Sequence, residues 1–494
     1  MNQKLKLKVT VFASGASVMV VEIIASRFFA PYFGNSVFVW SALIAVVLAS
    51  LSLGYYLGGR LADRKPTTGR LSLILLASAI SVTAIPVFGD IILILARAFL
   101  DVKLGSIVGS TILLSVPGVL LGMVSPYAIK LLAKDLKSLG STAGDLYATS
   151  TIGSIFGTLL SGFVLIPLLG VSTIFFTIAA LLCGLSLVLS PNLRRNDKSA
   201  VMGVSLLLLA VFPEPIFTEH EILHVQYTPY NRIVVEDDGP TTYLKLDGRL
   251  SGAIDKQSTH SHYGYIHYYE LPFLVKEDIG KVLMVGGGIA SAPRQITANH
   301  PETHVTIYEI DPEVTEVSEK YFYYCDDDSM HTVNGDARLL VQESGRIYDY
   351  VAVDVFNDLS TIPYHLSTKE FFHDLARITS DDGLIMMNII ARPKGRGSMV
   401  LKSIVKTVST SFPHVAVYET DEPEMLQNVM VMASKSSLPS TEKLKSMVGD
   451  TKVLNSERIG EMLESRAFPA YDFSAGVILS DQYNPIESMY LELV

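Results

Sequence analysis

The sequence predicts two architectures in one chain: an all-α, multi-span membrane domain over residues 1–213, then a soluble α/β domain with a Rossmann-like parallel sheet preceded by a small β-sheet. Three observations predict this. The 494 residues are 49% hydrophobic and only 18% charged, with a mean hydropathy of +0.36, a balance that excludes a purely soluble protein. Charge is divided unevenly: residues 1–213 hold 16 Lys and Arg against 7 Asp and Glu, net +9, which leaves 23 against 42, net −19, for the remainder. Beyond Pro213, apolar strand-like runs alternate with helix-like ones. The acidic second part has the wrong sign for nucleic acid, and the two cysteines, Cys183 and Cys325, cannot form a disulfide framework.

Apolar stretches near 9–30, 37–59, 71–88, 106–129, 146–169, 171–190 and 200–213 give about seven helices, most with the ~17–25 residues that a bilayer crossing needs. The last is short, roughly 21 Å at ~1.5 Å per residue. Between Gly89 and Lys103 the segment GDIILILARAFLDVK is amphipathic and charged, so it is expected to lie flat in the interface. Lys4, Lys6 and Lys8, then Arg60, Arg64, Lys65 and Arg70, then Lys130, Lys134 and Lys137, then Arg194, Arg195 and Lys198 fall in alternate loops, which puts the N-terminus in the cytoplasm. Glu22 and Arg27 inside the first stretch read as an internal ion pair, or as Arg27 reaching the interface, ahead of a polar pathway. Gly54/Gly58, Gly118/Gly122 and Gly153/Gly157 have the spacing of close helix packing. The run YYLGGRLADRKPTTGR (55–70) resembles the loop between the second and third spans of major facilitator transporters, although seven spans are too few for one such transporter.

PEPIF (213–217) closes the apolar part. Residues 214–280 are expected to form the small β-rich part, with strands at NRIVVED (231–237), TTYLKLDG (241–248) and Arg249–Ile254. Residues 281–494 are expected to form the Rossmann-like nucleoside-binding domain: KVLMVG (281–286), HVTIYEI (304–310), YDYVAVD (349–355) and GLIMMNII (383–390) are continuous apolar strands with helices between them, which means a parallel sheet covered on both faces. The first strand runs into Gly286, Gly287 and Gly288, a turn whose bare backbone can approach a nucleotide. Glu309 ends the next strand, 21 residues past Gly288, where a carboxylate can accept both ribose hydroxyls. Asn334-Gly335-Asp336-Ala337 and Asp354 end two further strands. Ligands of open parallel sheets lie outside the carboxyl ends of the strands, so these positions converge on one crevice; the rival reading is acidic strand ends that only cap helices.

VLMVGGG, VTIYEIDPEV, NGDAR and YDYVAVDVFND, with PYNRIVV and YLKLDG before them and LSDQYNPIE (479–487) after, resemble the polyamine aminopropyltransferases, the spermidine synthase family, in its membrane-fused branch. The resemblance implies a class I methyltransferase-like fold and transfer of an aminopropyl group from decarboxylated S-adenosylmethionine to a polyamine amine, with release of methylthioadenosine. By family role, Gly286, Gly287, Gly288 and Ala337 line the nucleoside, Glu309 holds the ribose, Asp336 faces the adenine and Asp354 is the base. Asn231 and Tyr265 stand on the amine-substrate side, and Asp358 either holds the far end of a diamine there or is a solvated loop charge. No tightly bound cofactor is required, because the sulfonium is itself the leaving group, and a homodimer is the expected assembly. His260, His262 and His267 do not share one helix face and no carboxylate pair joins them, so no metal is expected.

Two departures bear on the reaction. Where the family's GGGDGG carries the Asp that grips the donor's amine, this chain has Ile289; and the family's D-S-S-D loop is one residue longer here, Asp354-Val355-Phe356-Asn357-Asp358. An S-adenosylmethionine-dependent methyltransferase is therefore the principal alternative, and a transporter or sensor that binds a nucleoside or polyamine without turnover is another. A membrane location with many crossings follows from the apolar half. A full seventh crossing would put the soluble domain outside the cell; since adenosyl donors are made in the cytoplasm and do not cross membranes unaided, the domain is expected to face inward, with segment 200–213 as a shallow or tilted anchor.

Overall fold

The computed structural model describes residues 2–34, 36–133, 138–189, 220–258, 261–355, 363–448, 460, 463 and 471–490. The chain divides into two compact units, Met1–Phe217 with Tyr227–Pro229, and Thr218–Gln226 with Tyr230–Val494.

Among its described residues the first unit has six helices long and apolar enough to cross a membrane: α1 (Gln3–Phe33), α2 (Val37–Arg64), α3 (Thr68–Phe99), α4 (Val102–Leu132), α5 (Leu139–Leu168) and α6 (Val171–Leu189). The paired glycines mark where these helices touch. A Cβ on Gly153 of α5 would stand 2.1 Å from the Phe12 carbonyl oxygen of α1, and one on Gly157 would stand 2.4 Å from that of Ala16. Between α2 and α4, a Cβ on Gly54 would meet the Val119 carbonyl oxygen at 2.3 Å and one on Gly122 the Leu51 carbonyl oxygen at 2.9 Å. Packing thus accounts for all three glycine pairs.

The flat interfacial segment at 89–103 is not found: α3 continues unbroken through Phe99 and α4 starts at Val102. The charges that argued against a span are satisfied by partners elsewhere in the fold. Asp90 accepts from the Tyr32 hydroxyl at 2.7 Å, Arg97 donates to the Tyr32 carbonyl, and Asp101 caps α4 by accepting from the Leu104 N–H at 2.8 Å. Segment 200–213 lies outside the described residues.

The second unit opens with a four-stranded sheet in the order β1 (Glu221–Tyr227), β2 (Arg232–Asp237), β3 (Thr241–Leu246) and β4 (Arg249–Asp255). Asp247 and Gly248, both at positive φ, make the tight turn from β3 to β4 that their dipeptide announces. Strand β1 is an addition to the three read from the sequence.

Seven strands form the large sheet: β5 (Lys281–Val285), β6 (His304–Glu309), β7 (Met330–Asn334), β8 (Tyr348–Val353), β9 (Thr379–Ala391), β10 (His414–Glu419) and β11 (Gln427–Ser434). Their order, β10-β11-β9-β8-β5-β6-β7, is that of the class I methyltransferase fold. Strands β5 to β9 pair in parallel, as the apolar runs predict, whereas β10 and β11 add an antiparallel edge that the sequence reading did not include. Alternate residues of β8 and β9 serve two cores: Val351, Val353, Ile385, Met387 and Ile389 on one face, Tyr350, Ala352, Leu384 and Met386 on the other. The first face is covered by α10 (Lys369–Ile378) and α11 (Met399–Val408), and the second by α7 (Ser291–Asn299) and the turn at Gly264–Glu270. Two further helices, α8 (Pro312–Tyr321) and α9 (Ala337–Glu343), follow β6 and β7.

Candidate nucleoside and amine site

The parallel register brings the carboxyl ends of β5, β6, β7 and β8 level, with Val285 beside Tyr308 and Val353, and Glu309 beside Asn334. The turn leaving β5 admits no side chain at its first position. A Cβ on Gly286 would lie 2.4 Å from the Asp354 carbonyl oxygen, and its φ of 92° also calls for glycine. The Asp354 N–H donates to the Val285 carbonyl at 2.8 Å, so the glycine turn and the acid that follows β8 hold each other in place.

Glu309 lies under the glycine turn. One of its oxygens accepts from the N–H groups of Gly287 at 2.9 Å and Gly288 at 3.1 Å, and the other accepts from that of Asp311 at 3.0 Å. A carboxylate has about four acceptor sites, so one is left over for a ligand hydroxyl. Burial raises the Glu309 carboxyl above its ordinary value, and the three N–H groups oppose that shift.

Asp354 is the buried acid at the centre. Its Oδ1 accepts from the Asn388 amide at 2.9 Å and its Oδ2 from the Tyr265 hydroxyl at 3.2 Å. Burial pushes this carboxyl up to about 6, against the opposing pull of Asn388, Tyr265 and Tyr269. Tyr265 is in turn held well above its ordinary value, first by burial and then by the Asp354 charge. Asn388 is 1% exposed, and its Oδ1 has no hydrogen-bond partner among the described residues.

Two chambers meet at Asp354. The larger, about 270 Å³, is lined by Asn231, Ser251, Gly286, Gly288, Glu309, Asp336, Ala337 and Asp354, together with Leu250 and His365. The smaller lies behind the glycine turn and shares Ser251, Gly286, Gly288 and Asp354 with the larger, adding Gly287, Tyr263, Tyr265, Ile289 and Ser291. Asn231 and Tyr265, expected on the same side, therefore line different chambers. Asn231 sits with the nucleoside set, donating to Asp311 at 3.2 Å. Asp336 lines the larger chamber while also capping α9, accepting from the Arg338 N–H at 2.8 Å, so the rival capping reading holds locally for this residue. Asp358 and His260 lie outside the described residues, among which no cluster of three His, Cys, Asp or Glu could hold a metal.

Ile289 is buried in an apolar cluster with Ile233, Val235, Leu244 and Ile254 of the small sheet, and a Cβ on Gly252 would lie 2.8 Å from it. The position of the family's amine-gripping acid is thus an apolar wall. Residues 479–487 act as a brace. Asp481 accepts from Thr368 at 2.8 Å and Arg338 at 3.0 Å, and Asn484 donates to the Tyr364 carbonyl at 2.8 Å, which fixes the 363–368 segment beside the larger chamber.

Sequence reasoning missed Asn388. The signal was present: it is the one polar side chain in GLIMMNII, an otherwise unbroken apolar strand. It also missed Ser251, which no motif distinguishes, and read Ser291 only as the residue standing where a GxGxxG fingerprint has its third glycine.

A glycine turn, a carboxylate under it and a buried acid facing two chambers, carried on a sheet of the class I methyltransferase fold, make this the candidate site for a nucleoside and for a proton transfer. Comparison narrows this. A family model, the Spermine/spermidine synthase domain, matches residues 268–445, so the C-terminal region carries a domain of that family. The chain is 26% identical over 235 residues to the polyamine aminopropyltransferase of Vibrio vulnificus, covering 45% of this chain and 75% of that one. It is 25% identical over 491 residues to polyamine aminopropyltransferase 2 of Aquifex aeolicus, covering 93% of each, the helical region included. A solved spermidine synthase from Thermotoga maritima is 19% identical, with a TM-score of 0.40, over 51% of this chain and 86% of that one.

Proposed function

We propose that the protein is a membrane-anchored aminopropyltransferase that uses decarboxylated S-adenosylmethionine and a polyamine acceptor. The observation that carries this reading is Asp354: a buried carboxyl, raised to about 6, aimed by Asn388 and Tyr265 at the junction of two chambers. In the larger chamber Glu309 takes a ribose hydroxyl on its remaining acceptor site, and Asp336, Ala337 and Asn231 surround the nucleoside. The acceptor amine loses its proton to Asp354, its lone pair attacks the carbon next to the sulfonium, and the carbon–sulfur bond breaks with its electrons going to sulfur. Methylthioadenosine leaves. A carboxylate near 6 is a better base than an ordinary aspartate and remains ionised at neutral pH. Asn388 Oδ1 offers the attacking amine a second acceptor. Asp358, where the family has a second acid, is proposed for the far end of a diamine. Residues 1–213 serve as the anchor, and the soluble domain faces the cytoplasm, where the donor is made.

Ile289 favours a second reading, methyl transfer from S-adenosylmethionine, because the acid that would grip a decarboxylated tail is absent. Incubation with each donor decides between them. Methylthioadenosine from the decarboxylated donor supports aminopropyl transfer, and S-adenosylhomocysteine from the intact one refutes it.

A further inference from the structure

The smaller chamber has features that the proposed reaction does not use. With the nucleoside over Glu309 and the reacting carbon beside Asp354, the rest of the donor's chain runs on past Asp354 into the space behind the glycine turn. That space has a volume of about 30 Å³. A cavity needs about 10–15 Å³ to admit one water-sized group, so there is room for a terminal ammonium and not for a carboxylate besides. Among its described lining residues Asp354 is the one carboxylate, and as the base it is committed to the acceptor.

Two hydroxyls there have no partner. The Oγ atoms of Ser251, on β4, and Ser291, the first residue of α7, are both buried without a hydrogen bond among the described residues. Ser291 begins a helix, yet its hydroxyl caps nothing. Buried hydroxyls left unpaired are unfavourable, which points to a ligand group that pairs with both. Ile289 lines the same chamber and is fixed against Gly252, next to Ser251, by the small sheet's core, so it cannot easily yield.

We propose that Ser251 and Ser291 hold the ammonium end of the donor, and that Ile289 rejects the carboxylated donor by size rather than by charge. This deepens the proposed function and rests on its nucleoside site. Selection in favour of a decarboxylated tail is then achieved with neutral groups: two hydroxyls accept from the ammonium, while the wall leaves no volume for the extra three atoms of a carboxylate.

Calorimetric titration of the full-length protein in detergent with methylthioadenosine, decarboxylated S-adenosylmethionine and S-adenosylmethionine tests this. The wild type is expected to bind the intact donor at least tenfold more weakly than the decarboxylated one, and Ile289→Ala is expected to narrow that gap to threefold or less. Replacing both serines, Ser251→Ala with Ser291→Ala, should weaken the decarboxylated donor about tenfold, the order expected for hydrogen bonds to a charged group, and leave methylthioadenosine unchanged. Equal affinity of the wild type for the two donors would overturn the proposal, and so would a double serine variant that loses both ligands alike or neither. A gap that persists in Ile289→Ala would overturn the steric part. Since Ile289 is a core residue, the serine pair supplies the independent arm if that variant does not fold. Failure of methylthioadenosine itself to bind the wild type would refute the nucleoside site, and this proposal with it.

Discussion

Replacing Asn388 with leucine separates the proton chemistry of the site from its binding. The two side chains share a four-atom skeleton branched at Cγ, leucine being the bulkier, so the shape of the position in β9 is kept, but the amide that donates to Asp354 Oδ1 at 2.9 Å is gone. That bond stabilises the ionised acid, and hydrogen bonds to charged groups are worth roughly 1.5–3 kcal/mol. At ~1.4 kcal/mol per pKa unit its loss lifts the Asp354 carboxyl by about one to two units, from about 6 to roughly 7–8. At pH 7 the ionised fraction then falls from about nine-tenths to between about a half and a tenth. Activity at pH 7 should drop about two- to tenfold beyond any change common to all pH values, and the deficit should close by pH 9. The acid limb of kcat/KM against pH is the assay, with a thermal melt as control. Because the unpartnered Asn388 Oδ1 disappears as well, the melt should move little. An acid limb that stays put in a folded variant would refute the assignment of Asp354 as the base, or of Asn388 as the group that tunes it.

Glu309→Gln should weaken nucleoside binding, because it replaces an acceptor that already serves three N–H groups with an amide whose own N–H₂ opposes them; unchanged binding measured by calorimetry contradicts the ribose assignment. Asp354→Asn should bind the nucleoside within a few-fold of wild type and lose turnover. It should also be more stable above pH 6: the carboxyl is raised in the folded state, so its contribution is full below the ordinary aspartate value and declines as pH rises to about 6, by about 3 kcal/mol in all, and chemical denaturation at pH 5 and pH 8 reads the difference. Gly153→Ala places a Cβ 2.1 Å from a backbone oxygen of α1 and should destabilise the helical unit by roughly 1–3 kcal/mol, seen as a lower melting temperature in detergent, whereas Gly162→Ala on the same stretch, with nothing within 4 Å, should not. Cys325 is exposed and Cys183 buried, so a membrane-impermeant maleimide is expected to label Cys325 only after lysis; labelling of intact cells would place the soluble domain outside.

The central strands were legible because a sheet buried on both faces writes itself as continuous apolar runs, and the acids Glu309, Asp336 and Asp354 stood out as the residues that end them. Strands β10 and β11 carry similar apolar stretches, HVAVYE and QNVMVMAS, but nothing local says that β11 turns back to run antiparallel between β9 and β10. The helix through 89–99 was misjudged because Asp90 and Arg97 were weighed as lone charges, whereas their cost depends on Tyr32, some 60 residues earlier. Serines carry the least information of all. Ser251 and Ser291 acquire meaning only from what surrounds them and from what does not bond to them.

The brace from residues 479–487 also sets an order in time. The helices of the first unit emerge from the ribosome and can enter a bilayer long before Asp481 and Asn484 exist to clasp the 363–368 segment. At ~5–20 residues per second, the stretch from Lys369 to Asn484 alone takes about 6–23 s to make. Throughout that interval one wall of the larger chamber has nothing to hold it, so under the proposed anchoring the site would reach its working form only after the protein has reached its address.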